Sequence, residues 1–209
     1  LPRRLPMKRW TMLSITTLAL SGLVACGGSP SGDSSTAAPE ADAAAAPAAA
    51  VVDPEFEQLK SVAPVDACAW LPAEKLAAIY PDLAFELVQK VEPRISGYVW
   101  DSRCTYNAGV GTIEFAKDAP THTVEIFVAT PVSAEKALAN LASRSELAAT
   151  TMNFQRQPTL GEHAYSTSET GVGTIYFVKG GSEVQINVSE LQSPSAEKIQ
   201  KAITLAQSL

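Results

Sequence analysis

The sequence predicts an α+β domain in which an antiparallel sheet carries helices packed on one face. Residues 122–130 alternate apolar and polar side chains, as a half-buried strand does. Residues 133–148 and 195–208 instead repeat apolar side chains at helical spacing. A strand–strand–helix pattern occurs twice, so we expect the strands of both copies to share one sheet with the helices layered on it.

The predicted elements begin with two short helices. Asp53 can cap a helix over Pro54–Val62, because its carboxylate can accept the free amide hydrogens of the first turn. Apolar residues at helical spacing predict a second helix over Pro72–Tyr80, which Pro81 ends.

Strands and two longer helices make up the rest of the predicted domain. The strands are predicted from short apolar or alternating runs between turn residues. They cover Phe85–Val91, Gly97–Tyr106, Thr112–Lys117, His122–Thr130, Ala164–Ser168, Gly173–Lys179 and Glu183–Ser189. The helices cover Ser133–Ala148, with apolar positions Ala137, Leu138, Leu141 and Leu147, and Ser195–Ser208.

An internal repeat connects the two halves of the domain. Two motifs recur at the same offset of 62 residues: Gly109-Val-Gly-Thr-Ile-Glu-Phe-Ala-Lys117 as Gly171-Val-Gly-Thr-Ile-Tyr-Phe-Val-Lys179, and Ser133-Ala-Glu-Lys136 as Ser195-Ala-Glu-Lys198. The shared offset favours a duplication over about 105–148 and 167–209, although glycine turns and serine caps also recur by coincidence. The duplication predicts pseudo-twofold symmetry in the sheet.

The N-terminus has the features of a bacterial lipoprotein signal peptide. Lys8 and Arg9 precede an apolar run over Met12–Ala25, and the run ends in Leu23-Val-Ala-Cys26. This run of about 14 residues is shorter than the roughly 20 that a membrane-spanning helix needs. We therefore expect residues 1–25 to be removed and Cys26 to carry a lipid. The alternative is an ordinary secretory signal followed by a coincidental cysteine, which would release a soluble protein.

Composition and charge change after Cys26. Residues 26–52 are nearly all small, proline or acidic residues, which predicts a disordered linker before one globular domain over residues 53–209. Removing the four basic residues of the signal from the 16 in the chain leaves 12 basic and 22 acidic residues, a net charge of −10. This charge disfavours nucleic-acid binding, and we expect membrane contact through the lipid alone. By resemblance to lipoprotein sorting signals, Gly27 favours the outer membrane, facing the periplasm.

The cysteine count fits this expectation. Three cysteines would leave one unpaired in an exported protein. With Cys26 lipidated, Cys68 and Cys104 remain as a pair that an oxidising compartment favours joining. Two buried free thiols are the alternative. No histidine or further cysteine lies at metal-ligand spacing from either residue, so we expect no metal and no cofactor.

Three short motifs are spread over residues 64–190: Asp66-Ala-Cys68-Ala-Trp-Leu-Pro-Ala-Glu74, Cys104-Thr-Tyr106 and Leu160-Gly-Glu-His-Ala-Tyr165. They resemble the signature of a broad group of small exported bacterial lipoproteins and sensor-like domains of unknown function, best known from the actinobacterial cell envelope. The resemblance implies a Cys68–Cys104 bridge and an α+β sheet domain, and it implies no catalytic residue. His163 departs from the group's pattern, in which that position is usually small or acidic.

The sequence lacks the common motifs of hydrolases, metalloproteases and nucleotide-binding enzymes. His163 beside Glu162 could act as an acid or base, although such a pair on a turn is usually structural or exposed. His122 at a strand start is expected to be solvated. Asp101 and Glu114 on neighbouring strands are expected to be surface charges rather than a catalytic pair. We expect no enzymatic activity.

Four aromatic residues form the candidate binding surface: Trp70, Tyr98, Trp100 and Tyr106. The last three share even parity along one strand, so they point to one face if the strand has no bulge. Tryptophan and tyrosine serve both as core anchors and as recognition surfaces. That face is therefore either part of the core, with Trp70 against the disulfide, or an open surface for a glycan, lipid or partner protein.

Three functions remain open for such a domain. The favoured one is a non-catalytic envelope lipoprotein that binds an envelope protein or a small ligand, which predicts an apolar groove or an exposed aromatic patch on the sheet. The second is a structural or assembly accessory that acts through clustered acidic residues without a pocket. The third is a hydrolase, which requires His122 or His163 in a cleft beside a nucleophile or a second titrating group.

Overall fold

A computed structural model of the chain describes residues 53–111, 118–150, 153–169 and 171–209. The predicted signal peptide, Cys26, the linker over residues 26–52 and the predicted strand Thr112–Lys117 lie outside these ranges. No helix in the described ranges is long and apolar enough to cross a membrane.

Three short helices precede the sheet: α1 (Pro54–Lys60), α2 (Ala67–Trp70) and α3 (Ala73–Ile79). Asp53 caps α1, because its Oδ1 accepts the amide hydrogens of Glu55 and Phe56 at 2.9 and 3.4 Å. Both predicted helices are confirmed, as α1 and α3, with slightly different ends. The sequence pattern does not show α2, because four residues are too few to display a helical period.

The described strands form one antiparallel sheet of seven, in the order β1-β2-β3-β7-β6-β5-β4. Their bounds are β1 (Glu86–Ser96), β2 (Val99–Ala108), β3 (His122–Thr130), β4 (Gln155–Arg156), β5 (Tyr165–Glu169), β6 (Val172–Lys179) and β7 (Ser182–Glu190). Between β3 and β4 lies α4 (Ala134–Ala148), and α5 (Ser195–Ser208) follows β7. The α+β class and the antiparallel sheet are thus confirmed.

The first strand is longer than the sequence predicts. The predicted strand ends at Val91, because Pro93 has no amide hydrogen for a sheet ladder. β1 continues to Ser96 by placing Pro93 at the edge of the sheet, where the register shifts between Val91 and Arg94. An edge strand tolerates this, since only one of its sides is paired.

One face of the sheet, called the core face here, packs against α3 and α5. Its central side chains come from two neighbouring strands, and each is at most 2% exposed: Val124, Ile126, Val128, Val184, Ile186 and Val188. Leu76 of α3 and Leu205 of α5 are fully buried in the same core. Burial of this apolar layer is the main stabilising contribution to the domain.

The remaining long helix, α4, lies on the opposite face, called the α4 face here. Asn140 Nδ2 donates to Glu183 Oε1 at 2.8 Å, and Leu141 lines a small cavity together with Phe127. Glu183 and Phe127 alternate along their strands with the core-face valines, so they point the other way. The prediction that the helices pack on one face is therefore wrong, because one long helix lies on each face.

The internal repeat is unconfirmed. Between the two repeated motifs, Val124-Glu-Ile126 also matches Val184-Gln-Ile186, at an offset of 60 rather than 62. β3 and β7 pair with the equivalent residues Ile126 and Ile186 opposite each other. A twofold axis that exchanges neighbouring antiparallel strands runs perpendicular to the sheet and leaves each face on its own side. Because α4 and α5 lie on opposite faces, that axis does not relate the two helices. Most of the first glycine-rich motif lies outside the described ranges.

Candidate functional site

A groove of about 340 Å³ opens on the α4 face beside the C-terminal end of α4, and we call it the sheet-face groove. Its polar lining comes from β5, β6 and β7 and comprises Tyr165, Thr167, Glu169, Thr174, Tyr176 and Asn187. Thr174 pairs with Thr167 on one side and with Asn187 on the other, so these three side chains form one row across the sheet.

Three aromatic rings stack beside this row. The rings of Tyr165 and Tyr176 lie 4.6 Å apart at 18°, and the ring of Phe154 lies 5.4 Å from that of Tyr165. Burial raises the pKa of Tyr165 to about 12, with a further contribution from the neighbouring Tyr176. Burial likewise raises the pKa of Tyr176. Both phenols therefore keep their protons at neutral pH and can donate hydrogen bonds.

A hydrogen-bonded ladder of polar side chains holds Asn187 in position. Gln185 Nε2 donates to Asn187 Oδ1 at 3.0 Å, and Asn187 Nδ2 donates to Glu125 Oε1 at 2.9 Å. The other oxygen of Glu125 accepts from Thr105 Oγ1 at 3.4 Å and lies 3.8 Å from Arg103 Nε. Because its neighbours fix the amide orientation, Asn187 presents its remaining N–H in a defined direction.

Glu183 is a buried carboxylate on the same face, with 6% of the residue exposed. Its Oε1 accepts from Asn140, and its Oε2 lies 3.6 Å from an Arg144 guanidinium nitrogen. Oε2 has no hydrogen-bond partner among the described residues. Glu183 and Arg144 line a small cavity whose wall includes Tyr176, which also lines the sheet-face groove.

A second pocket of about 330 Å³ lies at one end of the sheet and contains His122, Glu190 and Ser193. The Thr121 hydroxyl donates its hydrogen to the Ala108 carbonyl at 3.2 Å. It therefore accepts the 2.9 Å hydrogen bond with His122, which the Nδ1–H of the ring donates. His122 is half-buried and lines this pocket, so its predicted solvation is neither confirmed nor contradicted. Its Nε2 is left as an acceptor in the neutral ring.

Glu190 in this pocket is a structural carboxylate, and it is only 2% exposed. Tyr80 Oη donates to Oε1 at 2.8 Å, and Lys201 Nζ lies 3.0 Å from both oxygens. Burial raises the pKa of Glu190, but hydrogen bonds from Ser193, Tyr80 and Lys201 outweigh that effect and hold the pKa below its ordinary value. Both carboxylate oxygens are thus already engaged.

Neither histidine is hydrogen-bonded to a serine or a cysteine among the described residues. Among the described contacts, His122 bonds only to the Thr121 hydroxyl, and no hydrogen bond joins it to Ser193. His163 lies 3.4 Å from Glu162 in a turn with a positive φ of 63°. His122 does share its pocket with Glu190 and Ser193, so the hydrolase alternative stays a prediction.

The structure resolves where Trp100 and Tyr106 point. The Trp100 indole N–H donates to the Leu59 carbonyl at 3.0 Å. The Tyr106 hydroxyl donates to the Leu71 carbonyl at 2.8 Å, and Tyr106 is 4% exposed within the core. The placement agrees with the core alternative for these two residues, because the helices at the N-terminal end of the domain cover them.

The other two aromatic residues of the predicted surface lie apart. Tyr98, in the turn between β1 and β2, is 49% exposed and donates to Asp53 Oδ2 at 2.6 Å. The Lys136 ammonium lies 5.9 Å from its ring centroid. Trp70 is half-buried against the core. The four residues therefore do not form one open surface, and ligand contact by any of them stays a prediction.

The remaining predicted sites have simple structural roles. A disulfide joins Cys68 of α2 to Cys104 of β2, across a separation of 36 residues. Asp101 pairs with Arg94 at 3.2 Å, as a surface charge does, and Glu114 lies outside the described ranges. Within those ranges no three histidine, cysteine or acidic side chains are grouped as metal ligands.

The residues of the sheet-face groove do not stand out in the sequence as a site. They occupy the outward positions of β5, β6 and β7, between apolar residues that identify the strands. One signal is visible: the outward positions of β7 include Gln185 and Asn187, uncharged amides where charged residues are more usual on a solvated strand face. The accessory hypothesis predicts no pocket, whereas the described residues enclose several.

Comparison with known proteins leaves the family open and identifies a related fold. No protein-family model matches the chain, and no curated protein matches it. Its structure is similar to the crystal structure of the extracellular domain of PknH from Mycobacterium tuberculosis, with a TM-score of 0.50 and 12% sequence identity. The match covers 69% of this chain and 96% of that one. At this level of identity the similarity shows that the two domains share a fold.

Proposed function

We propose that this chain is an exported, lipid-anchored binding domain without catalytic activity, and that a small ligand occupies its sheet-face groove. The observation that carries the proposal is the row of Thr167, Thr174 and Asn187, whose hydrogen-bonding groups line a concave surface beside the Tyr165–Tyr176 stack. Concave sites with a few positioned polar groups are typical of ligand binding.

Three further observations support export and a non-catalytic role. The Cys68–Cys104 disulfide is typical of an oxidising compartment. The fold is similar to that of an extracellular domain. Among the described residues, neither histidine is hydrogen-bonded to a serine or a cysteine. The lipid anchor is supported by the Leu-Val-Ala-Cys26 sequence alone, and the outer-membrane location by Gly27.

The experiment that tests the groove is affinity purification of the tagged protein from its native envelope, with mass spectrometry of co-purifying small molecules, lipids and proteins. Thr167→Trp places a bulky side chain in the groove, and Thr204→Trp on the exposed side of α5 is the matched control. We expect a molecule retained by the wild type and by the control to be lost with Thr167→Trp. Retention by all three proteins, or by none, would contradict the proposal.

A further inference from the structure

We infer that the ligand of the sheet-face groove is a small neutral saccharide, an inference that rests on the function proposed above. The side chains around the groove match a ligand that is rich in hydroxyl groups and carries no charge. Unpaired hydroxyls and an oriented amide both contribute to this match.

Hydroxyl groups dominate the polar lining. Thr167, Thr174 and Tyr176 make no side-chain hydrogen bond to another described residue. Each hydroxyl can donate one hydrogen bond and accept others, as the hydroxyls of a sugar also can. A saccharide therefore satisfies this lining without supplying a charge.

Asn187 adds a donor whose direction is set in advance. Its Oδ1 is occupied by Gln185 and one of its Nδ2 hydrogens by Glu125. The second Nδ2 hydrogen is available to an oxygen acceptor of a ligand. A donor held by its neighbours loses little conformational entropy when it binds, which favours a ligand with oxygen atoms at fixed positions.

Charge and polarity argue against the other classes of small ligand. No lysine or arginine lines the described part of the groove, Glu169 lies exposed along it, and the chain has a net charge of −6. Glu169 disfavours an anionic ligand here, and Arg144 beside Tyr176 is already paired with Glu183 at 3.6 Å. A fatty acyl chain would cover the hydroxyls and Asn187 without pairing with them. The volume of about 340 Å³ is near the lower end of small-molecule sites, which fits one or two sugar rings.

The test is a titration of the isotope-labelled full chain followed by ¹H–¹⁵N NMR. The neutral probes are glucose, mannose, N-acetylglucosamine and trehalose. Glucose 6-phosphate is the anionic probe, uncharged 1-hexanol the apolar one and trilysine the cationic one. We expect at least one neutral sugar to shift the amide signals of β5, β6 and β7 around Thr167, Thr174 and Asn187, and the three other classes to leave them unchanged.

Variants separate the groove from general effects on folding. Thr174→Val and Tyr176→Phe each remove one hydroxyl and keep the side-chain shape, so the ring stack with Tyr165 is retained. We expect each to weaken binding of the sugar by about threefold to tenfold, as the loss of one hydrogen bond does. Thr204→Val on the exposed side of α5 is the matched control and should bind as the wild type does.

The outcomes distinguish the ligand class from the groove itself. If hexanol, trilysine or glucose 6-phosphate shifts the groove signals and no neutral sugar does, the saccharide is excluded while the groove remains a binding site. If no probe shifts these signals, the saccharide is again excluded, and the affinity purification with Thr167→Trp decides the groove independently. Sugar binding that both hydroxyl variants leave unchanged also overturns the inference.

Discussion

Gly173 of β6 lies directly against the backbone of Ile199 in α5. A Cβ atom at Gly173 would fall 2.7 Å from the Ile199 amide nitrogen and 2.8 Å from the Lys198 carbonyl carbon. Nonbonded atoms do not approach so closely, so only glycine permits this contact between the strand and the helix. Because α5 covers the core face, this one contact controls how closely the core can pack.

Gly173→Ala should therefore destabilise the domain. The new methyl group must push α5 away from β6, and we expect a loss of about 1 to 3 kcal/mol in the free energy of unfolding, as overpacked cores show. Urea denaturation measures this loss. The control is Thr204→Ala on the exposed side of the same helix, which should change stability by less than about 0.5 kcal/mol. An unchanged urea midpoint for Gly173→Ala would contradict the close contact.

Removing the Cys68–Cys104 disulfide should weaken the domain by about 3 to 4 kcal/mol, according to the chain-entropy model for a separation of 36 residues. The variant is the double substitution of both cysteines by alanine, which leaves no free thiol behind. Cys26→Ser, which keeps the pair, is the control. The measurement is urea unfolding with and without reductant. Equal midpoints for the double variant and the control would show that the bridge adds no stability.

The charge of Glu190 should make stability depend on pH. Its pKa lies below the ordinary value of 4.5, so the carboxylate contributes stability above that pH. This contribution is lost as the pH falls through the lower folded-state pKa. We expect Glu190→Gln to lose about 2 to 3 kcal/mol at neutral pH, because Lys201 and Tyr80 lose a charged partner.

The acid range gives the sharper readout for Glu190. As the pH falls below the ordinary carboxyl pKa of 4.5, wild-type stability should fall more steeply than that of Glu190→Gln. Glu197→Gln is the control, since Glu197 pairs with the same lysine from an exposed position. Urea unfolding at steps of pH measures both slopes. Parallel slopes for wild type and Glu190→Gln would show that the carboxylate has no lowered pKa.

Cys26→Ser should release the protein from the membrane fraction. We expect the wild type to partition into detergent and to carry lipid mass at residue 26, because several acyl chains give durable anchoring. The control is Ser31→Ala in the predicted linker, which should partition as the wild type does. Intact-protein mass spectrometry and detergent partitioning provide the measurements. An unmodified thiol at residue 26 would contradict the lipoprotein interpretation.

Elements with a clear local period could be predicted closely. The predicted strand His122–Thr130 and the predicted helix Ser195–Ser208 have the same bounds as β3 and α5. In both segments, side chains close in sequence carry the whole signal. The helix cap at Asp53 could also be predicted, because its carboxylate bonds to an amide only two residues further along the chain.

The buried side of α4 could not be predicted in the same manner. Leu138 and Leu147 belong to its predicted apolar positions, yet they are 39% and 74% exposed. The helix instead buries Ala137, Leu141 and Ser145, which lie four residues apart. The small side chains of Ala137 and Ser145 on either side of Leu141 allow the helix to approach a polar sheet face, and only the sheet determines that such a face is present. The candidate groove could not be predicted from the sequence either, because it forms on the same sheet face and depends on how the strands pair.

The sequence alone determined most helices and strands, their caps, the pair of cysteines available for a bridge and the acidic character of the chain, because each depends on neighbouring residues or on composition. The tertiary structure decided that α4 and α5 lie on opposite faces, that Trp100 and Tyr106 point into covered positions, and that Thr167, Thr174 and Asn187 form one row. These features depend on strand order and register, which join residues far apart in the chain. The groove exists because two strand registers bring those three side chains together beside the end of α4.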